Sequence, residues 1–210
     1  MRRRSLILAL ALAVPLDGIG ALCLAQHSPQ AYQKEADRLA EVLNWQPGGV
    51  VGEIGAGEGE LTQEAAKHVG ATGRVYTTEL DPKKLAHLEE LAGDQKNITA
   101  LKAGEAETNL PHECCDSIFM RRVYHHLTKP AEIDASLFQS LKPGGLLAVI
   151  DEEPRPGSSP VEGVPNNRGG HGVPQKIMIQ EVTSAGFQVL KVYDAWPDDH
   201  YCVVFRKPGP

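Results

Sequence analysis

Residues 50–62, V-V-G-E-I-G-A-G-E-G-E-L-T, constrain this chain more than any other stretch. A short apolar run meets the acidic Glu53, then glycines at every second position, Gly55, Gly57 and Gly59, and then helix-forming residues. That order specifies a buried strand, a tight turn and a helix start. Glycine suits such a turn because it accepts positive φ and lets a ligand lie against bare backbone. The helix that follows offers unpaired N–H groups and a positive dipole end to an anionic group.

The rest of the chain alternates strands and helices around this turn. Residues 31–43 carry Ala36, Leu39, Ala40 and Leu43 at helical spacing, and Leu61, Ala65 and Val69 form the core stripe of the helix after the glycines. Residues 74–78 read as a second strand ending in Glu79-Leu80-Asp81-Pro82, with Pro82 suited to the first turn of a helix striped by Leu85, Leu88 and Leu91. Glu79 therefore stands at the carboxyl end of strand two, where a nucleoside-binding fold places a carboxylate on ribose hydroxyls.

Further strands are expected at 98–102, 116–120, 146–150, 187–193 and 201–207, with helices at 129–141 and 174–185. The apolar run 146–150 has the composition of a central parallel strand. Residues 151–172 are rich in proline, glycine and asparagine and read as one long loop beside the site. Only residues 194–200 join the last two strands, too few for a parallel crossover, so the final strand should run antiparallel to its neighbour. The expectation is a doubly wound, Rossmann-like α/β fold with a seven-stranded sheet, mostly parallel, that binds its ligand at the carboxyl ends of the strands.

Composition narrows the partners. The 210 residues are 41% hydrophobic and 23% charged, enough for one domain with its own core, and the formal net charge of -6 disfavours a broad grip on nucleic acid or an anionic membrane. Residues 1–25 stand apart: Arg2, Arg3 and Arg4 precede an apolar run to Leu16, and Ala25 closes a small-residue cleavage site before Gln26. This is the layout of a secretory signal peptide, which implies an exported or periplasmic chain of residues 26–210 with no membrane span after cleavage. The alternatives are an N-terminal anchor or a cytoplasmic chain. Of the four cysteines, Cys23 falls in the leader, and adjacent Cys114 and Cys115 read as two ordinary thiols because a vicinal disulfide is strained.

Five ordered signals together resemble the class I S-adenosylmethionine-dependent methyltransferases, of the ubiquinone- and menaquinone-methyltransferase-like, small-molecule type. They are E-I-G-A-G-E-G at 53–59, E-L-D at 79–81, A-G-E-A at 103–106, C-D-S-I-F at 115–119 and L-K-P-G-G at 141–145. The resemblance spans roughly residues 31–207 and implies S-adenosylmethionine as cofactor and a small-molecule acceptor. It places Gly55, Ala56 and Gly57 under the methionine moiety, Glu53 behind the loop and Gly59 where a helix approaches. It further places Glu79 on the ribose, Leu80 on the adenine, Glu105 in the position of the usual aspartate facing the adenine amino group, Ala106 beside it, and main chain near Arg121 on the cofactor's amino group.

The acceptor side is less legible. Tyr124, His125 and His126 follow strand four, and His171 precedes the helix at 174–185; with Asp151, Glu152 and Glu153 they are the candidates to bind or deprotonate an acceptor. No metal is expected, because Arg121 and Arg122 occupy the place where metal-dependent catechol-type relatives carry a magnesium-binding carboxylate. Two other readings compete. A nicotinamide-dependent oxidoreductase shares the turn and strand-two carboxylate, but its G-x-G-x-x-G fingerprint finds Glu60 at the last glycine. A cofactor-binding module without catalysis is the other, suggested by a leader that would take the chain away from cytosolic S-adenosylmethionine.

Overall fold

A computed structural model of the chain describes residues 28–209, so the expected leader at 1–25 lies outside the described residues. The elements in order are α1 (Pro29–Leu43), β1 (Val50–Ile54), α2 (Glu60–Val69), β2 (Arg74–Glu79), α3 (Pro82–Asp94), β3 (Ile98–Lys102), β4 (Cys115–Arg121), a 3-10 turn (Tyr124–His126), α4 (Pro130–Ser140), β5 (Leu141–Asp151), α5 (Gln175–Ser184), β6 (Gln188–Trp196), a second 3-10 turn (Pro197–Asp199) and β7 (His200–Arg206). The sheet runs β3-β2-β1-β4-β5-β7-β6. Its first five strands are mutually parallel, and β7 is antiparallel to both β5 and β6. The expected fold and the reversed final strand are both present.

Local chemistry accounts for the helix ends. The Ser28 hydroxyl accepts from the Ala31 N–H at the start of α1, and Asp81 accepts from the Lys83 and Lys84 N–H groups ahead of Pro82 in α3. Apolar stripes then bury against the two faces of the sheet. One core layer joins Ala36, Leu39, Leu61, Ala65 and Val69 to Phe119 and Val204; the other joins Ile118, Met120, Leu137, Met178 and Phe205. Of the α3 stripe only Leu88 is fully buried, while Leu85 and Leu91 are half-buried, because α3 covers the β2–β3 edge of the sheet.

Two expectations need correction. The helix at 129–141 stops at Ser140, and Leu141 already belongs to β5: it pairs with Cys115, after which the register jumps to Ser117 with Leu146. Lys142-Pro143-Gly144-Gly145 is thus a bulge inside the strand, turned by Gly144 at φ 79°. Cys114 and Cys115 are a disulfide rather than separate thiols. The chain turns at Glu113, φ 48°, just before β4, and this irregular entry brings two adjacent sulfurs to one side where a regular strand would point them apart.

Candidate functional site

The strand order reverses between β1 and β4, and there the carboxyl ends of two neighbouring strands lead their connections to opposite sides of the sheet. A cleft of about 400 Å³ opens at this point, lined among others by Glu53, Gly55, Gly57, Tyr32, Arg121 and His125. A second cleft of about 390 Å³ lies at the amino ends of the strands, around Trp45, Pro47 and Val50. The switch-point cleft is the candidate site because the loop glycines and the strand-end carboxylates converge on it.

The glycine loop is fastened to strand two. Gly55 and Ala56 donate their N–H groups to the Thr78 carbonyl, each at 3.0 Å, and the Gly57 N–H donates to Glu79 Oε2 at 2.9 Å. Glu79 Oε1 accepts from the Leu80 and Asp81 N–H groups at 2.7 and 3.0 Å. Three of the roughly four acceptor positions of this carboxylate are thereby used, and release of the Gly57 N–H would free a second for a ligand diol. A Cβ at Gly57 would meet no atom within 4 Å, so this glycine borders open space, whereas a Cβ at Gly59 would come within 2.7 Å of Leu88 on α3. Gly57 leaves room for a ligand, and Gly59 lets α3 approach the loop.

Beneath the loop, Glu53 is buried and accepts from the Thr62 hydroxyl of α2, which in turn contacts the Thr77 hydroxyl of β2 at 3.1 Å. Burial pushes its carboxyl up to about 8, opposed by the Thr62 bond and assisted by the negative Glu60 and Glu79. Leu80, at the carboxyl end of β2 beside Glu79, is 53% exposed, an uncommon position for a leucine. The 103–106 segment is held beside β2 by the Ala103 N–H bonding the Glu79 carbonyl at 2.9 Å, with Glu105 exposed and Ala106 half-buried.

At the end of β4, Arg121 makes a network that sequence reasoning missed. Its Nε donates to Glu35 Oε1 at 2.8 Å and a terminal nitrogen to Asp198 Oδ2 at 3.1 Å, while the Trp196 indole also donates to Glu35 at 3.2 Å. Helix α1 and the β6–β7 turn are thus tied to the cleft wall. The only local signal was Glu35 on the apolar face of α1, beside Ala36 and Leu39.

The acceptor side gathers the three histidines among the candidates, with Asp151 behind them. His125 is buried; its backbone N–H donates to Asp151 Oδ2 at 3.1 Å and its Nδ1 lies 2.6 Å from Asp151 Oδ1. Asp151 Oδ1 also accepts from the Glu152 N–H at 2.8 Å, so the carboxylate acts as acceptor and Nδ1 carries the proton. This tautomer leaves the His125 Nε2 lone pair, which is buried without a hydrogen-bond partner among the described residues. The His126 and His171 rings pack against His125 with centroids 4.1 and 4.7 Å away. Burial, followed by the nearby His125 and His171, holds His126 below the ordinary imidazole value.

Tyr124 does not join them, and its expected place at the acceptor side is corrected. It is fully buried and its hydroxyl donates to Asp134 Oδ2 on α4 at 2.8 Å. The phenol is pushed far up by burial and by Asp134, and the Asp134 carboxyl is raised by burial to about 7, so the pair is a core hydrogen bond. The 3-10 turn separates the neighbours: Tyr124 enters the core, while His125 lines the cleft and His126 is exposed.

The comparisons agree with this geometry. Residues 52–149 match the family model described as a methyltransferase domain. The chain is 28% identical over 102 residues to the ubiquinone/menaquinone biosynthesis C-methyltransferase UbiE of Proteus mirabilis, covering 47% of this chain and 41% of that protein. It is 24% identical over 123 residues to the sterol 24-C-methyltransferase of Yarrowia lipolytica, covering 58% and 32%. The chain thus spans less than half the length of these curated relatives. A crystal structure of a SAM dependent methyltransferase from Aquifex aeolicus superposes with a TM-score of 0.68 at 22% identity, over 86% of this chain and 98% of that one. The nicotinamide alternative gives way to the domain match. In its sheet order, in its glycine loop joined to a strand-two carboxylate and in the methyltransferase-domain match over residues 52–149, the chain is similar to the class I S-adenosylmethionine-dependent methyltransferases.

Proposed function

We propose that this chain transfers a methyl group from S-adenosylmethionine to a small-molecule acceptor. The observation that carries the reading is the direct Gly57-to-Glu79 bond, which ties the glycine loop lining the open switch-point cleft to the strand-two carboxylate. That cleft, about 400 Å³, has the size of a small-molecule site, for which roughly 300–1,000 Å³ is usual. The cofactor supplies an electrophilic methyl on a sulfonium, open to in-line displacement.

The residues of the chain bind and orient. Glu79 accepts hydrogen bonds from the ribose hydroxyls, the Gly55–Ala56–Gly57 backbone lies along the methionine portion, and Leu80 covers the adenine, with Ala106 and Glu105 at its amino edge. Backbone near Arg121 takes the cofactor's amino group, and the Glu35 and Asp198 bonds keep the Arg121 side chain aside. Holding nucleophile and methyl in attack geometry lowers the barrier by several kcal/mol, out of roughly 7–11 kcal/mol accessible to positioning. Where the acceptor must lose a proton, the Nε2 lone pair of His125, fixed by Asp151, is the group able to take it, with His126 and His171 around it.

Residues 1–25 are read as a secretory leader and 26–210 as the exported domain. Among the described residues no helix is long and apolar enough to cross a membrane. A mature terminus at Gln26 in an exported fraction supports this part; an intact Met1 in the cytosolic fraction refutes it. For the reaction, full-length chain is incubated with methyl-labelled cofactor and a fractionated small-molecule extract. Label should pass to a low-mass product, and not with Glu79→Ala. Tight cofactor binding without transfer to any fraction would favour the binding-module reading instead.

A further inference from the structure

The three histidines on the acceptor side have more order than a set of acid–base groups requires. Each of His125, His126 and His171 offers a ring nitrogen, and these atoms lie within 4.8 Å of one another. They come from distant places: His125 and His126 from the 3-10 turn after β4, His171 from the far end of the loop after β5. That loop is folded onto the site by two backbone bonds, the Arg155 N–H on the His171 carbonyl at 3.0 Å and the Val173 N–H on the Glu152 carbonyl at 2.9 Å, and by the His171 N–H on the Ser158 side-chain Oγ at 2.8 Å.

We propose that His125, His126 and His171 form a binding site for a zinc-class divalent transition metal ion, with Asp151 as the carboxylate that orients His125. Three neutral imidazoles with one coordination position left over are the donor set of open zinc sites, and nitrogen donors favour zinc, copper, nickel or cobalt over magnesium or calcium. The Asp151–His125 pair is the second observation. A metal-ligating histidine ordinarily donates its other ring N–H to a carboxylate, which fixes the tautomer and raises the basicity of the ligating nitrogen. Here Nδ1 is on Asp151 at 2.6 Å, and Nε2, 1% exposed with the rest of the side chain, has no partner among the described residues. An unpartnered buried nitrogen is costly, and ligation satisfies it.

Distances and charge are compatible with this assignment. Zinc–nitrogen bonds of about 2.0–2.1 Å in a tetrahedron put the nitrogens about 3.3 Å apart, so the rings must close by about 1.5 Å at most. His126 is exposed and His171 half-exposed, which leaves them free to rotate and gives an ion a way in. The arginines that argued against magnesium do not settle the matter for neutral nitrogen donors. Arg121 is neutralised by Glu35 and Asp198, and the positive Arg122 is offset locally by Asp151 and by Glu152, whose Oε1 lies 4.0 Å from His171 Nε2 while pairing with Arg155.

A bound ion takes the His125 lone pair otherwise available as a base. An acceptor hydroxyl or thiol entering the open position would instead have its pKa lowered by coordination, as zinc-bound water does to about 7, and would release its proton to solvent in the open cleft. The metal site itself does not rest on the methyl-transfer reading.

The test uses untagged full-length chain, stripped with chelator and titrated with Zn²⁺ and separately with Co²⁺. One equivalent should bind per chain, and Co²⁺ should give the visible bands of a tetrahedral nitrogen site. His126→Ala and His171→Ala should each weaken binding at least tenfold, and Asp151→Asn about 10–100-fold. Thermal melting checks that each variant is folded, and His171→Gln stands in should an alanine variant unfold. Glu79→Ala should bind S-adenosylmethionine at least tenfold more weakly and keep the metal, which separates the two readings. Substoichiometric binding, or binding unchanged by His126→Ala and His171→Ala, overturns the proposal and assigns any metal uptake to surface histidines.

Discussion

Glu53 shows how one residue type serves the loop in a way that its sequence position alone does not disclose. The acidic residue before the glycines was legible as a loop-fixing group, but its burial under α2 follows from Thr62 and Thr77, which come from a helix and another strand. A carboxyl raised from 4.5 to about 8 on folding is bound to its proton in the native state over a pH range where the unfolded chain has lost it. Its contribution is therefore complete below about pH 4.5 and declines as pH rises through about 8. The decline is roughly 5 kcal/mol at most, at about 1.36 kcal/mol per unit, or about 10–20 °C in Tm for a domain of this size. Glu53→Gln keeps an acceptor for Thr62 and removes the titration. Its Tm should fall less than the wild-type value between pH 5 and pH 8.5 in matched melts, and parallel curves would show that Glu53 does not titrate abnormally. At the neighbouring strand, Glu79→Ala should weaken cofactor binding by about 1.5–3 kcal/mol through lost charge-assisted bonds, read by calorimetric titration. An unchanged affinity would remove Glu79 from the ribose.

At the scale of elements, the stripes of α1 and α2 and the strands β1 to β5 were readable because each is local and periodic. The loop after β5 was readable only as a break in composition, and its interior was not. The chain there is held by Arg168, fully buried, whose two terminal nitrogens meet Glu181 Oε1 and Oε2 of α5 at 3.0 and 2.9 Å, with the guanidinium 5.8 Å from the Tyr124 ring centre. No local pattern marks an arginine among asparagines and glycines as the anchor of a core-facing ion pair; its partner is thirteen residues away on another element. Removing one member of such a pair costs about 3–5 kcal/mol when both are buried, and Glu181 is 20% exposed, so about 2–3 kcal/mol is expected for Arg168→Ala. Denaturant unfolding measures that loss. Hydrogen exchange should rise across residues 155–172 in the same variant, and with it His171 should lose its fixed place; protection equal to wild type would mean that the backbone bonds alone hold the loop.

Over the whole molecule, the sheet order assembles one cleft from the ends of β1, β2 and β4, which the alternation of strands and helices with the glycine turn foretold. The acceptor half depends on the three-dimensional meeting of a turn after β4 with a loop after β5, and neither contains a sign of the other. Cofactor binding should then act on the domain as a unit. A ligand present at a hundred times its Kd stabilises the native state by about 2.7 kcal/mol, which for this size is a rise of about 5–10 °C in Tm. Gly57→Val isolates the loop's share of that effect. A Cβ there meets no atom within 4 Å, so packing is spared, and the cost in the unliganded protein is the strain of a branched residue at φ 61°, about 1–3 kcal/mol. The side chain would project into the space where the ligand lies. The unliganded variant should melt within roughly 2–10 °C of wild type, and addition of S-adenosylmethionine should leave its Tm unmoved. A cofactor shift as large as that of wild type would place the methionine moiety away from this loop, whatever the family resemblance of the glycines.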